Sequence, residues 1–580
     1  MELVNMKING MPLSVPKDYT ILQAAREMGI EIPTLCHMKG LNEIGACRIC
    51  VVEVKGARSL VAACVAPVGE GMEVLTNSEK VIKARKMTVE LLLSNHNCSC
   101  LSCNRSGNCE LQTMARSFGI ESAQAFVGAK TETKLDESNV AFIRDNSKCV
   151  LCRRCVAACS TQTGVIGANN RGFDTVIGCA FETDLADVAC VSCGQCITAC
   201  PTGALQERDD TEKVFEALND PTKTVIVQTA PATRVAIAEY FGNPIGTMAK
   251  GKMVAALHRL GFDKVFDTNF AADLTIMEEA TEFLDRYQNG GTLPLITSCS
   301  PGWVKYCEAF FPEFIPNLSS CKSPQQMFGA VLKTWYAEKN GHDPKDIVSV
   351  SVMPCTAKKF EIGRDDEAAA GLPDVDYAIT TRELGSMIKR ACIDFNKLPD
   401  EEYDNPLGEG TGAAVIFGAT GGVMEAALRT AVDVLTGKDN ESYDFIEVRG
   451  TEGIKEATYD VNGIKLNICV VSGLDNTKKV LEAVKSGEKK YDFIEVMCCP
   501  GGCVNGGGQP IHPNSVRETV DIKAVRAAAI YEEDKNLPQR KSHKNTAIKL
   551  IYDEYFEKPG SHKAHKILHT TYVDRSKVLK

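Results

Sequence analysis

The residues best equipped for chemistry in this sequence are its cysteines. Residues 297–303 read TSCSPGW and set Cys299 between two serines at a Pro-Gly turn. A thiol so placed can carry a proton, attack a substrate, ligate a metal or simply fill a buried gap. Two later segments repeat the theme: Cys355 ends VMPC, and Cys498, Cys499 and Cys503 lie in CCPGGC. The chain has 26 cysteines in 580 residues, and Cys36 to Cys200 account for seventeen of them.

The front cysteines fall into four groups. Cys36, Cys47, Cys50 and Cys64 place a C-x2-C pair between two single cysteines, a set of four thiolates suited to a plant-type [2Fe-2S] cluster, although the gaps are wider than usual. A zinc ribbon would more often show two C-x2-C knuckles. His96, Cys100, Cys103 and Cys109 follow as H-x3-C-x2-C-x5-C, a ligand set that zinc and a [4Fe-4S] cluster fit equally, with the neighbouring groups favouring iron-sulfur. Cys149, Cys152, Cys155 and Cys159 form C-x2-C-x2-C-x3-C, and Cys190, Cys193, Cys196 and Cys200 repeat it before Pro201. In this bacterial ferredoxin pattern the fourth cysteine of each run ligates the other cluster. Cys149, Cys152 and Cys155 therefore belong with Cys200, and Cys190, Cys193 and Cys196 with Cys159. Cys98 and Cys179 stand outside every pattern and read as small buried residues. Several clusters in one chain point to a wire for single electrons.

The elements that must position these residues come next. A chain of this length needs several domains. Apolar residues make up 44%, charged residues 24%, and a net charge of −10 gives no basic field for nucleic acid. With neither a signal-peptide pattern nor an apolar run of membrane-spanning length, the chain is expected to be cytoplasmic, where disulfides are rare and metal or redox use of cysteine is the rule. MELVNMKING reads as a strand, and TILQAAREMG and KVIKARKMTVELLLSN as helices. From residue 223 short apolar strands alternate with helical runs. TVIVQTA, LPLITSC, SVSVMPC, AAVIFGATGG, NICVVSG and YDFIEVMCC are the expected strands of parallel sheets covered on both faces. Sites in such sheets form at the carboxyl ends of the strands, where Cys299, Cys355 and Cys498-Cys499 fall. GATGG lacks the spacing of a nucleotide loop, and NGGGQP is expected to let backbone approach a bulky inorganic ligand.

These residues carry a family resemblance. TSCSPGW, VMPCTAKKFE and EVMCCPGGCVNGGGQP are similar to the three signature segments of the [FeFe]-hydrogenases, and SPQQMFGA, ITTRELG, FGATGGVMEAALR and EVRGTEGIKEA to the landmarks between them. KSHKNTAIKLIYDEYFEKPGSHKAHKILH resembles the family's small-subunit segment, and the four front sites match the large clostridial form in order and spacing. The resemblance covers essentially the whole chain. It implies a multidomain α/β and α+β fold: a [2Fe-2S] ferredoxin-like domain at 1–80, a His/Cys3 [4Fe-4S] domain at 81–125, and a two-[4Fe-4S] ferredoxin-like domain at 140–210. A two-lobed catalytic domain with parallel sheets flanked by helices would follow at 223–515, with a C-terminal helical wrap at 520–580.

The implied activity is the reversible conversion of protons and electrons to H2. The implied centre is an H-cluster, a [4Fe-4S] cube sharing one cysteine sulfur with a diiron unit that bears CO, cyanide and an azadithiolate bridge. One [2Fe-2S] and three accessory [4Fe-4S] clusters would pass electrons to ferredoxin. In an alternative form they would serve NADH-oxidising flavin and iron-sulfur partner subunits of an electron-bifurcating complex, because no Rossmann or flavin motif is present here. A further alternative is an iron-sulfur or H2 sensor with an altered site. Maturation proteins would supply the diiron unit.

Mapped by motif, Cys355, Cys499 and Cys503 are cube ligands, with Cys503 bridging to the diiron unit. Lys358 would donate to a cyanide. Pro231, Gln325, Met353, Phe417 and Met497 would line the pocket, and Ala232 stands where a serine can donate to the other cyanide. Glu279 and Glu282, on one helix face, match the family's proton relay together with Ser319, Arg286 and Cys299. The family's first segment normally reads TSCCP, whereas Ser300 stands at its second cysteine here. Motif position assigns the fourth cube ligand to Ser300, and the preference of iron-sulfur centres for thiolate assigns it to Cys299 or Cys498.

Overall fold

A computed structural model describes residues 2–440, 444–461 and 463–579. Residue 1 of the 1–80 segment, residues 441–443 and 462 of the 223–515 segment, and residue 580 of the last lie outside it.

Chain reversals at ligand loops dominate the front. A five-stranded sheet, built on Leu3–Ile8 with Met11–Pro16 antiparallel to it and Glu73–Leu75 parallel, packs on helix Ile21–Glu27, whose Thr20–Gln23 capping box fixes its start. Helix Glu79–Asn95 follows and ends at His96, its C-cap. In the next unit short helices Arg154–Ser160 and Gln195–Ala199 pack together beside the three-stranded sheet Leu205–Glu207, Phe142–Asp145 and Leu135–Asp136. Leu151 and Arg153 in one cysteine run, and Ser192 and Gly194 in the other, all have positive φ. These reversals curl main-chain N–H groups toward sulfur, as in the Leu151 amide that donates to Cys149 Sγ at 3.4 Å.

The rear is built on eight strands: β1 Thr224–Thr229, β2 Lys264–Asp267, β3 Leu295–Ile296, β4 Ile347–Met353, β5 Tyr377–Thr380, β6 Ile454–Val461, β7 Ile464–Ser472 and β8 Phe493–Met497. The order β2-β1-β4-β5 forms one wholly parallel sheet. A second sheet runs β3-β8-β7-β6, parallel except for β6, which pairs antiparallel with β7 at the edge. β1, β4 and β8 are buried along almost their whole length, as strands covered on both faces must be, whereas β6 alternates between buried and open positions.

Three features depart from the sequence expectation. AAVIFGATGG is not a strand: Gly412–Val415 is helical and Ile416–Gly418 is a 3-10 turn. Its apolar residues are buried among helices, with Val415 and Ile416 packed against Ile530, so the run is apolar because it is enclosed rather than because it belongs to a sheet. β2 and β5, four residues each, and the antiparallel β6 carry too little pattern to stand out in the sequence.

Helix Thr268–Asn289 begins at the end of β2, where the Asp267 side chain accepts from the Asn269 amide at 3.0 Å. Helix Pro301–Phe310 begins just after β3 with Ser300 as N-cap.

Residues beyond 520 dock onto this region through buried charges. Asp534 accepts from Arg429 at 2.8 and 2.9 Å and from Arg540 at 2.7 and 3.1 Å. Arg526 pairs with the fully buried Glu239 at 2.5 Å, and Asn545 Nδ2 donates to Asp273 at 2.9 Å. Gly412 gives Asp534 room, since a Cβ there would stand 2.0 Å from its Oδ1. Asp534→Ala leaves two guanidiniums short of a carboxylate in a dry interface and is expected to destabilise the chain by about 3–5 kcal/mol. The urea midpoint checks this by fluorescence of the two tryptophans, Trp303 and Trp335, both between residues 223 and 515; an unchanged midpoint would refute it.

Candidate active site

The carboxyl ends of β1, β3, β4 and β8 open onto one enclosed cavity. Pro231 and Ala232 reach it from β1, Cys299 and Ser300 from β3, Met353, Cys355 and Lys358 from β4, and Met497, Cys498, Cys499 and Cys503 from β8. Gln325 and Phe417 complete the wall on helical segments. Every pocket residue expected from the motifs lines this one space.

Lys358 Nζ is the fixed positive charge of the site. It pairs with Glu361 at 2.9 Å, donates to Ser323 Oγ at 2.9 Å and lies 3.3 Å from the Cys299 carbonyl. Coulombic attraction from Glu361 and the contact with it outweigh desolvation and hold its pKa above the ordinary lysine value. The Gln325 amide is partly engaged: its Oε1 accepts from Ser351 at 2.7 Å, and one of its two Nε2 hydrogens goes to Glu361 at 2.9 Å.

The relay residues also meet. Ser319 Oγ donates to Glu282 Oε2 at 3.3 Å. Glu282 also takes the Ser320 amide at 3.0 Å and Arg286 at 2.5 Å, while Arg286 donates to the Leu318 carbonyl at 3.0 Å. Burial pushes the Glu279 carboxyl up to about 8, with Ser319 opposing and Glu282 adding to the rise. Glu279 is the ionisable neighbour that Cys299 feels most strongly.

The front sets are gathered as well. Cys50 and Cys64 sulfurs are 3.3 Å apart, and the Cys47 amide points at Cys36 Sγ at 3.5 Å. The first separation is too long for a disulfide bond. A small cavity is lined by Cys149, Cys152, Cys155 and Cys200, the crossed grouping expected from the ferredoxin pattern. Cys196 has Cys193, Cys159 and Cys190 as its strongest ionisable neighbours, which is the complementary group. Cys179 is fully buried, whereas Cys98 is only half-buried, its sulfur 3.7 Å from His96 Nδ1.

These residues fit iron-sulfur groups on chemical grounds. His96 Nε2 is buried without a hydrogen-bond partner, a state that a metal bond relieves. Burial pushes the Cys149, Cys190 and Cys503 thiols up to about 12, so thiolates there need bound cations. Gly203 lies against Cys103, where a Cβ would stand 2.8 Å from its sulfur.

Ligand-bearing segments are joined by hydrogen bonds. Asn42 Nδ2 donates to the carbonyls of Cys36 at 2.8 Å and Cys152 at 3.0 Å, and Arg105 Nη1 donates to the Cys200 carbonyl at 3.2 Å. Thr356, next to Cys355, donates to the Ser192 carbonyl at 2.7 Å.

Sequence reasoning passed over Glu361 and Glu495. Glu361 stands one helical turn after Lys358, and that spacing was a usable signal. Glu495 is a charged residue inside the apolar strand FIEVM, and it accepts from the Gly421 and Met424 amides at 2.7 Å each. GATGG thus seats an internal carboxylate at a helix N-terminus. The glycines of NGGGQP make room chiefly for protein: a Cβ at Gly506 would stand 2.2 Å from the Pro354 carbonyl oxygen, and one at Gly507 2.3 Å from that of Cys193.

Comparison with known proteins agrees with this construction. Residues 223–507 match the C-terminal domain of the iron only hydrogenase large subunit, and 520–575 match the iron hydrogenase small subunit. Residues 1–79 match a 2Fe-2S iron-sulfur cluster binding domain, 85–124 the NADH-ubiquinone oxidoreductase-G iron-sulfur binding region and 148–204 a 4Fe-4S dicluster domain. The chain is similar to the NADP-reducing hydrogenase subunit HndD of Solidesulfovibrio fructosivorans, 49% identical over all of both chains. It is also similar to iron hydrogenase 1 of Clostridium pasteurianum, 47% identical over 97% of this chain and 99% of that one. Among solved structures, an apo [FeFe]-hydrogenase HydA1 variant from Chlamydomonas reinhardtii covers 63% of this chain and 99% of its own, at 44% identity and a TM-score of 0.56.

His96→Cys exchanges a neutral imidazole for a thiolate, and the added negative charge is expected to lower the midpoint potential of one accessory cluster while the cluster is retained. An electron-paramagnetic-resonance redox titration checks this, and an unchanged set of potentials would place that ligand elsewhere.

Proposed function

This chain belongs to the [FeFe]-hydrogenases and is a catalytic subunit with accessory iron-sulfur domains; from that premise we propose how its own residues serve the interconversion of protons, electrons and H2. The observation that carries the reading is the convergence of Cys355, Cys499, Cys503 and Lys358 on one enclosed cavity that also meets Cys193.

Cys355, Cys499 and Cys503 would hold the cube, and Cys503 would also serve the diiron unit. When bound, that unit supplies the metal centre at which the H–H bond is made or broken. Pro231, Ala232, Met353, Phe417 and Met497 enclose it with apolar surface and exclude water. Gln325 completes the wall and keeps one Nε2 hydrogen beyond the one it gives to Glu361. Lys358, held charged beside Glu361, attracts the anionic ligands, whereas Ala232 offers no hydroxyl for a second such bond.

Protons travel between Cys299 Sγ, the Glu279 carboxyl, Ser319 Oγ, the Glu282 carboxyl and the Arg286 end of the path. Glu279, with a pKa of about 8, holds a proton near neutral pH and can release and regain it at small cost. Cys36, Cys47, Cys50 and Cys64, then His96, Cys100, Cys103 and Cys109, and the two crossed ferredoxin sets would hold the front clusters, which would supply a path for electrons. The proposed domain boundaries are 1–80, 81–125, 140–210, 223–515 and 520–580.

The electron partner is ferredoxin. A second reading, the catalytic subunit of a complex with NADH-oxidising flavin and iron-sulfur subunits, is favoured by full-length similarity to a protein named as an NADP-reducing hydrogenase subunit. No helix among the described residues is long and apolar enough to cross a membrane, and we place the protein in the cytoplasm.

The matured chain alone is expected to evolve H2 from reduced ferredoxin and not from NADH; NADH-dependent evolution without partners would refute the absence of a nicotinamide site. Glu279→Gln is expected to lower H2 evolution from reduced viologen by about 100-fold or more, with iron content and the infrared bands of bound CO and cyanide unchanged. The raised pKa sets the sign of the pH effect. Glu279 is protonated below about 8 and ionised above it, so evolution falls as pH rises through that value, and the variant loses this limb. Wild-type turnover in Glu279→Gln would remove the carboxyl from the path.

A further inference from the structure

Ser300 and Cys498 face each other just beyond the paired ends of β3 and β8. The Cys498 amide donates to Ser300 Oγ at 3.2 Å. That hydroxyl already accepts from the main chain, and as an iron ligand it would have to become an alkoxide, a poorer partner for an iron-sulfur cube than thiolate. Cys299 stands at the relay side of the cavity. It packs with the cluster that contains Phe417, Met497 and Cys503, and its strongest ionisable influence is Glu279, followed by Cys503.

Cys498 offers a thiol on the side of the turn where Ser300 stands. It is buried, lines the cavity together with Cys355, Cys499 and Cys503, and belongs to the packed cluster that Cys193 borders. Its place depends on Gly302, where a Cβ would stand 2.7 Å from Cys498 Sγ. Its present hydrogen bond, to Gln162 Oε1 at 3.7 Å, is weak and easily exchanged.

We propose that Cys498 supplies the fourth thiolate of the cube in this chain, a sulfur moved from position 300 to the residue that faces it. As the Fe–S bond forms, the thiol gives its proton to solvent with no change of oxidation state. Ser300 remains as the acceptor that fixes the turn, and Cys299 stays available to the relay. The fourth thiolate then lies against Cys193, a ligand of the neighbouring accessory cluster, on the side where electrons arrive. The inference rests on the hydrogenase reading of the cavity.

The test uses the full chain, reconstituted with iron and sulfide without the diiron unit, and measures iron per chain together with the Mössbauer and electron-paramagnetic-resonance spectra. Ser300→Ala is expected to keep the wild-type iron content. Cys498→Ala is expected to lose about four irons per chain, one cube, with the accessory-cluster signals intact as evidence of folding. The double variant Ser300→Cys with Cys498→Ala is expected to regain them. Loss of the cube in Ser300→Ala, its retention in Cys498→Ala, or failure of the double variant to regain it would overturn the assignment. A wild-type chain with accessory clusters and no further cube would instead overturn the hydrogenase reading, which separates the two failures.

Discussion

Mutual repulsion and desolvation of thiolates are the constraint on which the structure depends. Four sulfurs brought together in a dry space resist ionisation, as the raised pKa values of Cys149, Cys190 and Cys503 show, and only bound cations offset that cost. The polypeptide must therefore hold its ligands at fixed points before the iron arrives. In the rear region two sheets open their carboxyl ends on one cavity, so that Cys299, Cys355 and Cys499 sit on the first residues beyond a strand. In the front it uses left-handed residues between cysteines, which direct amide groups at sulfur.

Rigidity at each centre would achieve little if the centres moved relative to one another, since electron transfer depends steeply on distance. Several hydrogen bonds between regions fall on the cysteine-bearing segments themselves. One asparagine, Asn42, binds the carbonyls of Cys36 and Cys152, Arg105 reaches Cys200, and Thr356 beside Cys355 reaches Ser192 beside Cys193. The first domain is also held from behind, where Glu518 of helix Asn514–Thr519 pairs with Arg26 and, at 2.8 Å, with His37. Largely buried ion pairs away from the cysteines, Arg382 with Glu207 and Lys359 with Asp210, add to this hold.

Much of this was legible in the sequence because cysteine spacing is local and costly to imitate. The crossed ferredoxin grouping followed from two short runs, and the pocket lining from the family resemblance that the three signature segments carry. Less legible was anything decided by long-range packing. AAVIFGATGG has the composition of a buried strand and the structure of a buried helix and turn, since burial on all sides erases the periodicity that tells them apart. KVFD and YAIT form strands because β1 and β4 offer them edges, a fact outside their own four residues. Glu495 stood out only as a charge in an apolar strand; its partners, the Gly421 and Met424 amides, lie more than seventy residues away.

The same geometry separates two flows that must meet at one centre. On the proposed assignment protons arrive from the side of Cys299 and Glu279, and electrons from the side of Cys193 and Cys498. Cys299 and Ser300 are adjacent in sequence, yet one faces the relay and the other the β8 terminus, because the chain turns there from the end of β3 into helix Pro301–Phe310. A family that carries thiols at both positions uses one turn to serve both flows. Here the electron-side sulfur has an alternative anchor on the facing segment, and Gly302 gives it the space. The spatial demand is for a sulfur on each side of the turn, and the sequence can meet it from either of two paired chain segments.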